Sequence, residues 1–427
     1  MIIDRTPIPS ASAESLRLSE KSAPPAYYDK RALGLGASRK SIASTSAVIA
    51  TVQLSGLGLS VGERSIRPEH VIPVCLVLAL LRRGYLGRNL HRLALLYLPF
   101  LWYLTVSILG APDALGSMQS AMALLIATTA LPYFVVLGEK LGGWNLLRLW
   151  LAVGTALNVA AILLFVTGIA GTQTDVTNGH IVAKGLAYEA NIFGSQAAAL
   201  AIVGLTLRSS VDWWVRPSIG INTIALALSQ ARGAWIAFGV VLLALAVANR
   251  SSVVPQLISV LGIVVVSAVA LYTNSQLPLP VKANDRLSLT DLHARAQSLT
   301  DTSTGTGAVR VRTWQLAVDD IRKYPLAGSG INSYAALHGD ITRPGHPGYL
   351  SNMYLAWLHD GGIIGALLIC ISIVGYLILI GGIPRAFGNP AMIALLVLGI
   401  AYVATDSSWI AWPWALAGVA FTYHRCL

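Results

Sequence analysis

Between Thr45 and Tyr423 apolar runs follow one another almost without pause, except for one long polar interval from Tyr272 to Gly365. About 20 mainly apolar residues let a helix span the hydrocarbon core of a bilayer, and fewer suffice where neighbouring helices shelter its ends. The chain is 55% hydrophobic and 11% charged, with a mean hydropathy of +0.65 over 427 residues. A water-soluble domain carries roughly a quarter charged residues. The pattern therefore predicts an all-α integral membrane protein, a bundle of about twelve transmembrane helices.

The expected spans run near Thr45–Val61, His70–Leu81, Leu93–Leu109, Met118–Leu137, Leu149–Ile169, Ala190–Leu207, Ile219–Leu228 and Trp235–Ala248. Val253–Tyr272, Gly361–Ile380, Met392–Ala404 and Trp409–Tyr423 complete the set. A net charge of +11 in a soluble protein would suggest nucleic acid; here many of the basic residues sit in short turns, where they set orientation. The turn holding Arg82, Arg83, Arg88 and Arg92 is the most basic, so it faces the cytoplasm, and alternation then puts both termini there too. Two outward turns break the pattern, one with Arg64 and Arg67 beside Glu63 and Glu69, the other with Arg232.

Residues 1–44 read as a disordered cytoplasmic tail, Pro- and Ser-rich and without the apolar core of a cleavable signal peptide. Residues 45–273 hold spans one to nine, 274–350 form a large external loop containing short helices, and 351–427 carry a re-entry and spans ten to twelve. Cys75, Cys370 and Cys426 are scattered without metal-ligand spacing, which speaks against a disulfide framework or a zinc site.

Ionisable groups near membrane depth are costly and therefore candidates for function. Four places qualify: Glu189 with Asn191, Arg232, the Arg310–Trp314 cluster that includes Arg312, and the re-entry at Ser351–Gly365. Lys184 stands just outside the first. All project to the expected outer face, and cations and polar groups gathered there describe a site for a lipid with an anionic head. Arginine suits diphosphate, because its planar fork donates two parallel hydrogen bonds and stays ionised when partly buried. Each also has a plainer role: Arg232 snorkelling from a helix end, Arg310 and Arg312 solvated in a loop, Glu189 and Asn191 capping a helix, Trp314 and Tyr354 packing.

The element Ser229-Gln230-Ala231-Arg232-Gly233-Ala234-Trp235 resembles the S-x-x-R-G-x-W element of the O-antigen ligase and polymerase family. Arg310-Val311-Arg312-Thr313-Trp314, followed by Pro325-Leu326-Ala327-Gly328-Ser329-Gly330, is similar to that family's R-x-x-x-W and P-L-x-G-x-G. Asn352-Met353-Tyr354-Leu355 with Gly362-Ile363-Ile364-Gly365 is similar to its H-N-x-Y-L and G-x-x-G, and Glu189-Ala190-Asn191 to its asparagine at the start of a span. The resemblance covers residues 180 to 370. It implies a metal-independent glycosyltransferase without cofactor, in the cytoplasmic membrane with its site facing outward, acting as polymerase or ligase. Such an enzyme moves a glycan from undecaprenyl diphosphate to a hydroxyl of a glycan or lipid-glycan acceptor, with membrane lipids as surroundings and no nucleic acid partner.

Carried over, Arg232 and Arg310 would stabilise the departing diphosphate, with Arg312 as an addition. Glu189, Asn191, Lys184, Asn352, Tyr354 and Trp314 are expected to contact substrate. Where the family has histidine before asparagine, this chain has Ser351. A serine hydroxyl is a poor general base at neutral pH. His346 is the preferred stand-in, because the turn Pro344-Gly345-His346-Pro347-Gly348 can return its imidazole to that place; His338 and His359 are the others. A transporter or flippase of a lipid-linked glycan is the competing reading, and a non-catalytic envelope-assembly partner a third. A transporter predicts repeated halves and helices broken near mid-membrane, whereas the charges here gather in one loop.

Overall fold

The computed structural model describes residues 39–57, 59–61, 64–83, 88–167, 173–175, 181–207, 213–248, 305–339 and 349–423. Fifteen α-helices lie within them: α1 Arg39–Gln53, α2 Ile72–Arg83, α3 Arg88–Leu109, α4 Ala114–Thr128, α5 Ala130–Leu141, α6 Gly143–Thr167, α7 Ala190–Thr206 and α8 Val215–Ser229. The rest are α9 Arg232–Ala248, α10 Gly305–Lys323, α11 Tyr334–His338, α12 Met353–Leu379, α13 Ile383–Phe387, α14 Pro390–Ala401 and α15 Ala411–Tyr423. Two small antiparallel hairpins, Leu59–Val61 with Arg64–Ile66 and Gln173–Asp175 with Ile181–Ala183, sit in the connections.

Every expected span except the ninth overlaps a helix or a helix pair, and the ninth, Val253–Tyr272, lies outside the described residues. Four helical stretches are long and apolar enough to cross a membrane by length and composition: Leu90–Leu109, Ala114–Leu141, Gly143–Thr167 and Met353–Leu379. The other apolar helices are shorter. The largest departures from the expectation are three. The first helix starts at Arg39, inside the stretch read as tail, and ends at Gln53 rather than Val61. The fourth span is two helices that part at Thr129, whose hydroxyl donates to the Ile126 carbonyl at 2.6 Å. The re-entry and the tenth span form one long helix, α12, broken at Gly362.

The core is built around α7, whose residues from Ile192 to Leu205 are all buried, and which packs on α8, α9 and α14. Small side chains make this possible: a Cβ on Gly194 would lie 2.4 Å from the Ser229 hydroxyl. With no water at membrane depth, buried polar groups pair across helices. Asn158 donates to Asn222 at 2.6 Å, and Asn222 donates to Thr155 at 3.0 Å and to the Ser218 carbonyl at 2.7 Å, which ties α6 to α8.

The connections that alternation assigns to the outer side meet one another at one end. Gly56 donates to the Leu186 carbonyl at 2.8 Å, Ala411 to Glu69 at 2.9 Å, and Met353 to the Tyr402 carbonyl at 3.0 Å. Elements assigned to the inner side also meet, since Trp144 stacks at 5.9 Å on Tyr423.

Candidate active site

The Arg232 turn is set by its own residues. Gln230 ends α8 in the left-handed region at φ 49°, and the Ser229 hydroxyl accepts the Ala231 N–H at 3.2 Å. Trp235 donates its indole N–H back to the Leu226 carbonyl at 3.0 Å. The chain thus reverses between two helices, and Arg232 becomes the first residue of α9, half-buried at the end of the bundle.

Helix α10 presents Arg310 to the same place. Burial pushes the Arg310 guanidinium below its ordinary range; Arg232 beside it pushes the same way, while Tyr349 and Glu189 oppose. Arg232, Glu189 and Tyr349, from distant parts of the chain, thus lie within electrostatic reach of Arg310. Glu189, the residue before α7, is held at both oxygens: Tyr349 donates to Oε2 and Thr405 to Oε1, each at 3.0 Å. It does not cap α7 with its side chain. Asp406 follows, with its carboxylate accepting the Ser408 N–H at 2.9 Å and hydroxyl at 2.8 Å. Burial, and after it the carboxylates of Asp360 and Glu189, raise its pKa to about 6 against those two hydrogen bonds.

What holds α10 in position is the segment after it. Pro325 and Leu326 accept the N–H groups of Ile363 and Ile364 at 2.9 and 3.1 Å, while Ser329 and Gly330 donate to the carbonyls of His359 and Asp360 at 2.7 and 3.0 Å. These are backbone groups that a break in a helix leaves without intrahelical partners. The break is at Gly362, φ 61° and ψ −161°, and the two chains touch so closely that a Cβ on Gly362 would lie 2.4 Å from the Leu326 carbonyl. Beyond it, Ile331 bridges α3 and α4, donating to the Ser107 carbonyl at 3.2 Å and accepting from Ser117 at 2.7 Å.

Residues 218–370 match the family model described as O-antigen ligase, about a third of the chain. Over that stretch the chain is similar to the O-antigen ligases. No curated protein matches the chain. The matched stretch contains Arg232, Arg310, Tyr349 and the broken helix, whereas Glu189, Thr405 and Asp406 lie on either side of it in sequence. The match and the four long apolar helices fit a multi-pass membrane protein that resembles the O-antigen ligases over this stretch.

Within the matched stretch, other expected site residues are turned to other tasks. Arg312 is exposed on α10, and its electrostatic neighbour is Tyr334. His338 and His359 both meet Asp320: His338 Nε2 is in direct contact with Asp320 Oδ2, His359 Nε2 lies 3.5 Å from it, and His359 Nδ1 lies 3.0 Å from Asp360. His359 is fully buried. Burial alone would raise the Asp320 pKa, but His338, His359 and Lys323 outweigh it and hold the carboxyl below its ordinary value. This cluster bolts α10 and α11 to α12.

Asn352 caps α12, accepting the Leu355 N–H at 3.1 Å, and Tyr354 donates to the Gly399 carbonyl at 2.7 Å. Trp314 is half-buried on α10, one turn beyond Arg310. Upstream of the domain, Asn191 is half-buried in the first turn of α7, and Lys184 is half-buried in the connection before it. His346 lies outside the described residues. Sequence reasoning missed Tyr349, Thr405 and Asp406. Only Asp406, an acidic residue between two apolar runs, carried a signal that could have found it.

Proposed function

We propose that the protein transfers a glycan from undecaprenyl diphosphate to an acceptor hydroxyl at the outer face of the cytoplasmic membrane, from within a bundle of about twelve spans. The observation that carries this reading is the meeting of Arg310 and Arg232 in a half-buried place. Bringing like charges together costs free energy that a bound anion returns. In the reaction, the bond from the anomeric carbon to the diphosphate oxygen breaks, the electron pair stays on that oxygen, and the acceptor oxygen bonds to the anomeric carbon. Charge grows on the leaving group, so the two arginines stabilise the transition state more than the bound donor. They take the part that a divalent cation plays elsewhere, which makes the proposed enzyme metal-independent.

His346 is the proposed acceptor of the hydroxyl proton. Tyr349, three residues further along, is hydrogen-bonded to Glu189, which ties that end of the segment to the site. Glu189 and Asn191 would orient the acceptor from the start of α7. Lys184, Asn352, Tyr354, Trp314 and Arg312 would stand further from the reacting atoms and contribute less.

The test is reconstitution of the full chain with a purified undecaprenyl-diphosphate glycan, with and without acceptor. Release of undecaprenyl diphosphate that falls by about 10²–10³-fold in Arg232→Ala and Arg310→Ala supports the transferase. Passage of intact substrate across the bilayer, with no bond cleaved, overturns it in favour of a transporter.

A further inference from the structure

Arg67, a cation on the wrong side by the orientation rule, lies against two aromatic rings. Its guanidinium carbon is 4.3 Å from the Trp409 ring centroid and 5.1 Å from that of Tyr188. Tyr188 meets Trp409 edge-on, with centroids 5.1 Å apart and planes at 88°. The backing is fixed. Glu69 holds the guanidinium at 3.6 Å, and the Trp409 indole donates to the Asp406 carbonyl at 3.0 Å. Tyr188 itself is nevertheless 51% exposed. The next residue is Glu189, with the half-exposed Tyr349 bonded to it and the arginine pair beyond.

A rigidly backed aromatic ring with an open surface, beside an anchored carboxylate, has the chemistry of a sugar subsite. The ring covers the C–H face of a pyranose with little loss of side-chain freedom, and the carboxylate accepts from its hydroxyls. We propose that Tyr188 is the platform on which a pyranose ring of the acceptor glycan stacks, with Glu189 accepting from a ring hydroxyl. This rests on the transferase reading for its role in catalysis. Glu189 favours the acceptor over the diphosphate-bearing donor, because a carboxylate repels phosphate. For the same reason the subsite takes neutral or acetamido pyranoses and disfavours uronic acids.

The experiment is saturation-transfer NMR on the full chain in lipid nanodiscs with methyl glucoside, methyl galactoside and methyl N-acetylglucosaminide, and with methyl glucuronide as the acidic control. Wild type passes saturation to the ring C–H protons of the neutral sugars and less to the glucuronide. Tyr188→Leu fills the space without a ring and weakens the signal about fivefold, while Tyr188→Phe keeps it. A thermal melt of each variant checks that it is folded. No signal in wild type, or an equal signal in folded Tyr188→Leu, overturns the subsite, since an interfacial tyrosine that only anchors the chain gives that result. Undecaprenyl diphosphate release, measured in parallel on wild type, judges the transferase separately: its absence removes that reading and leaves the sugar signal to decide the subsite.

Discussion

Arg310 and Arg312 stand two residues apart on one helix, and the fold sends them in different directions. At 3.6 residues per turn, two positions lie on nearly opposite faces. Arg310 turns to Arg232 and Glu189, and Arg312 stays exposed near Tyr334. Arg310→Ala is expected to lower kcat/KM by about 10²–10³-fold, the loss typical of one preorganised charge-stabilising donor. Arg312→Ala should stay within about threefold, as an exposed cation contributes little. Rates of undecaprenyl diphosphate release check both. Asp406 gives a pH-dependent case. Its folded pKa of about 6 lies above the ordinary value of about 3.9, so folding favours the protonated carboxyl. That contribution is fully present below about pH 4 and is lost as pH rises through about 6. Asp406→Asn should therefore melt at or above the wild-type temperature at pH 7.5, and the two should converge at pH 4. A thermal melt series in one detergent measures this.

Among the elements, the broken helix α12 and the segment 324–333 depend on each other. Each supplies the backbone partners the other lacks, and glycine is needed at Gly362, because any Cβ there meets backbone and the positive φ disfavours L side chains. Gly362→Ala is expected to cost more than about 2 kcal/mol and to release α10 from α12, so that stability and activity fall together. Thermal unfolding followed by size-exclusion fluorescence reads the first, and turnover the second. Asp320 tests the same joint from its side chains. Asp320→Asn leaves His338, His359 and Lys323 without their shared carboxylate, for an expected loss of about 3 kcal/mol. In wild type the lowered pKa makes this stabilisation present above about pH 4 and lost as pH falls through the folded value. The four motifs were legible as short patterns around these elements. That P-L-x-G-x-G closes on the G-x-x-G break was not, because hydrogen bonds between segments some thirty residues apart leave no periodicity in either one.

Across the whole molecule, contacts sort the connections into two ends. Glu189 meets Thr405, Glu69 meets Ala411 and Arg67 meets Tyr188 at one end, while Trp144 meets Tyr423 at the other. With the proposed orientation, single cysteines at the exposed positions Val403 and Arg322 should be labelled in intact cells by a membrane-impermeant maleimide, in a background with the native cysteines replaced. A cysteine at Phe387 on α13 should be labelled only after permeabilisation. The reverse pattern would turn the bundle over and move the site to the cytoplasmic face. The ends also explain Arg67, whose charge is occupied by Glu69 and two aromatic rings and so does not weigh against an outward turn.

The sequence by itself determined the helical membrane class, the places of the apolar helices, and the four polar places where chemistry could sit; the helices of residues 305–339 and α13 were not placed by it. Hydropathy and charge are local properties, written in consecutive residues. The tertiary structure alone decided which polar groups share a site and which hold the fold together. Arg310 came to Arg232, Tyr349 and Thr405 came to Glu189, and two of the three candidate histidines went to Asp320. The reason is physical: pairing at the end of a bundle depends on which helix ends lie side by side, and that is set by small-residue packing around α7 and by backbone groups freed at Gly362.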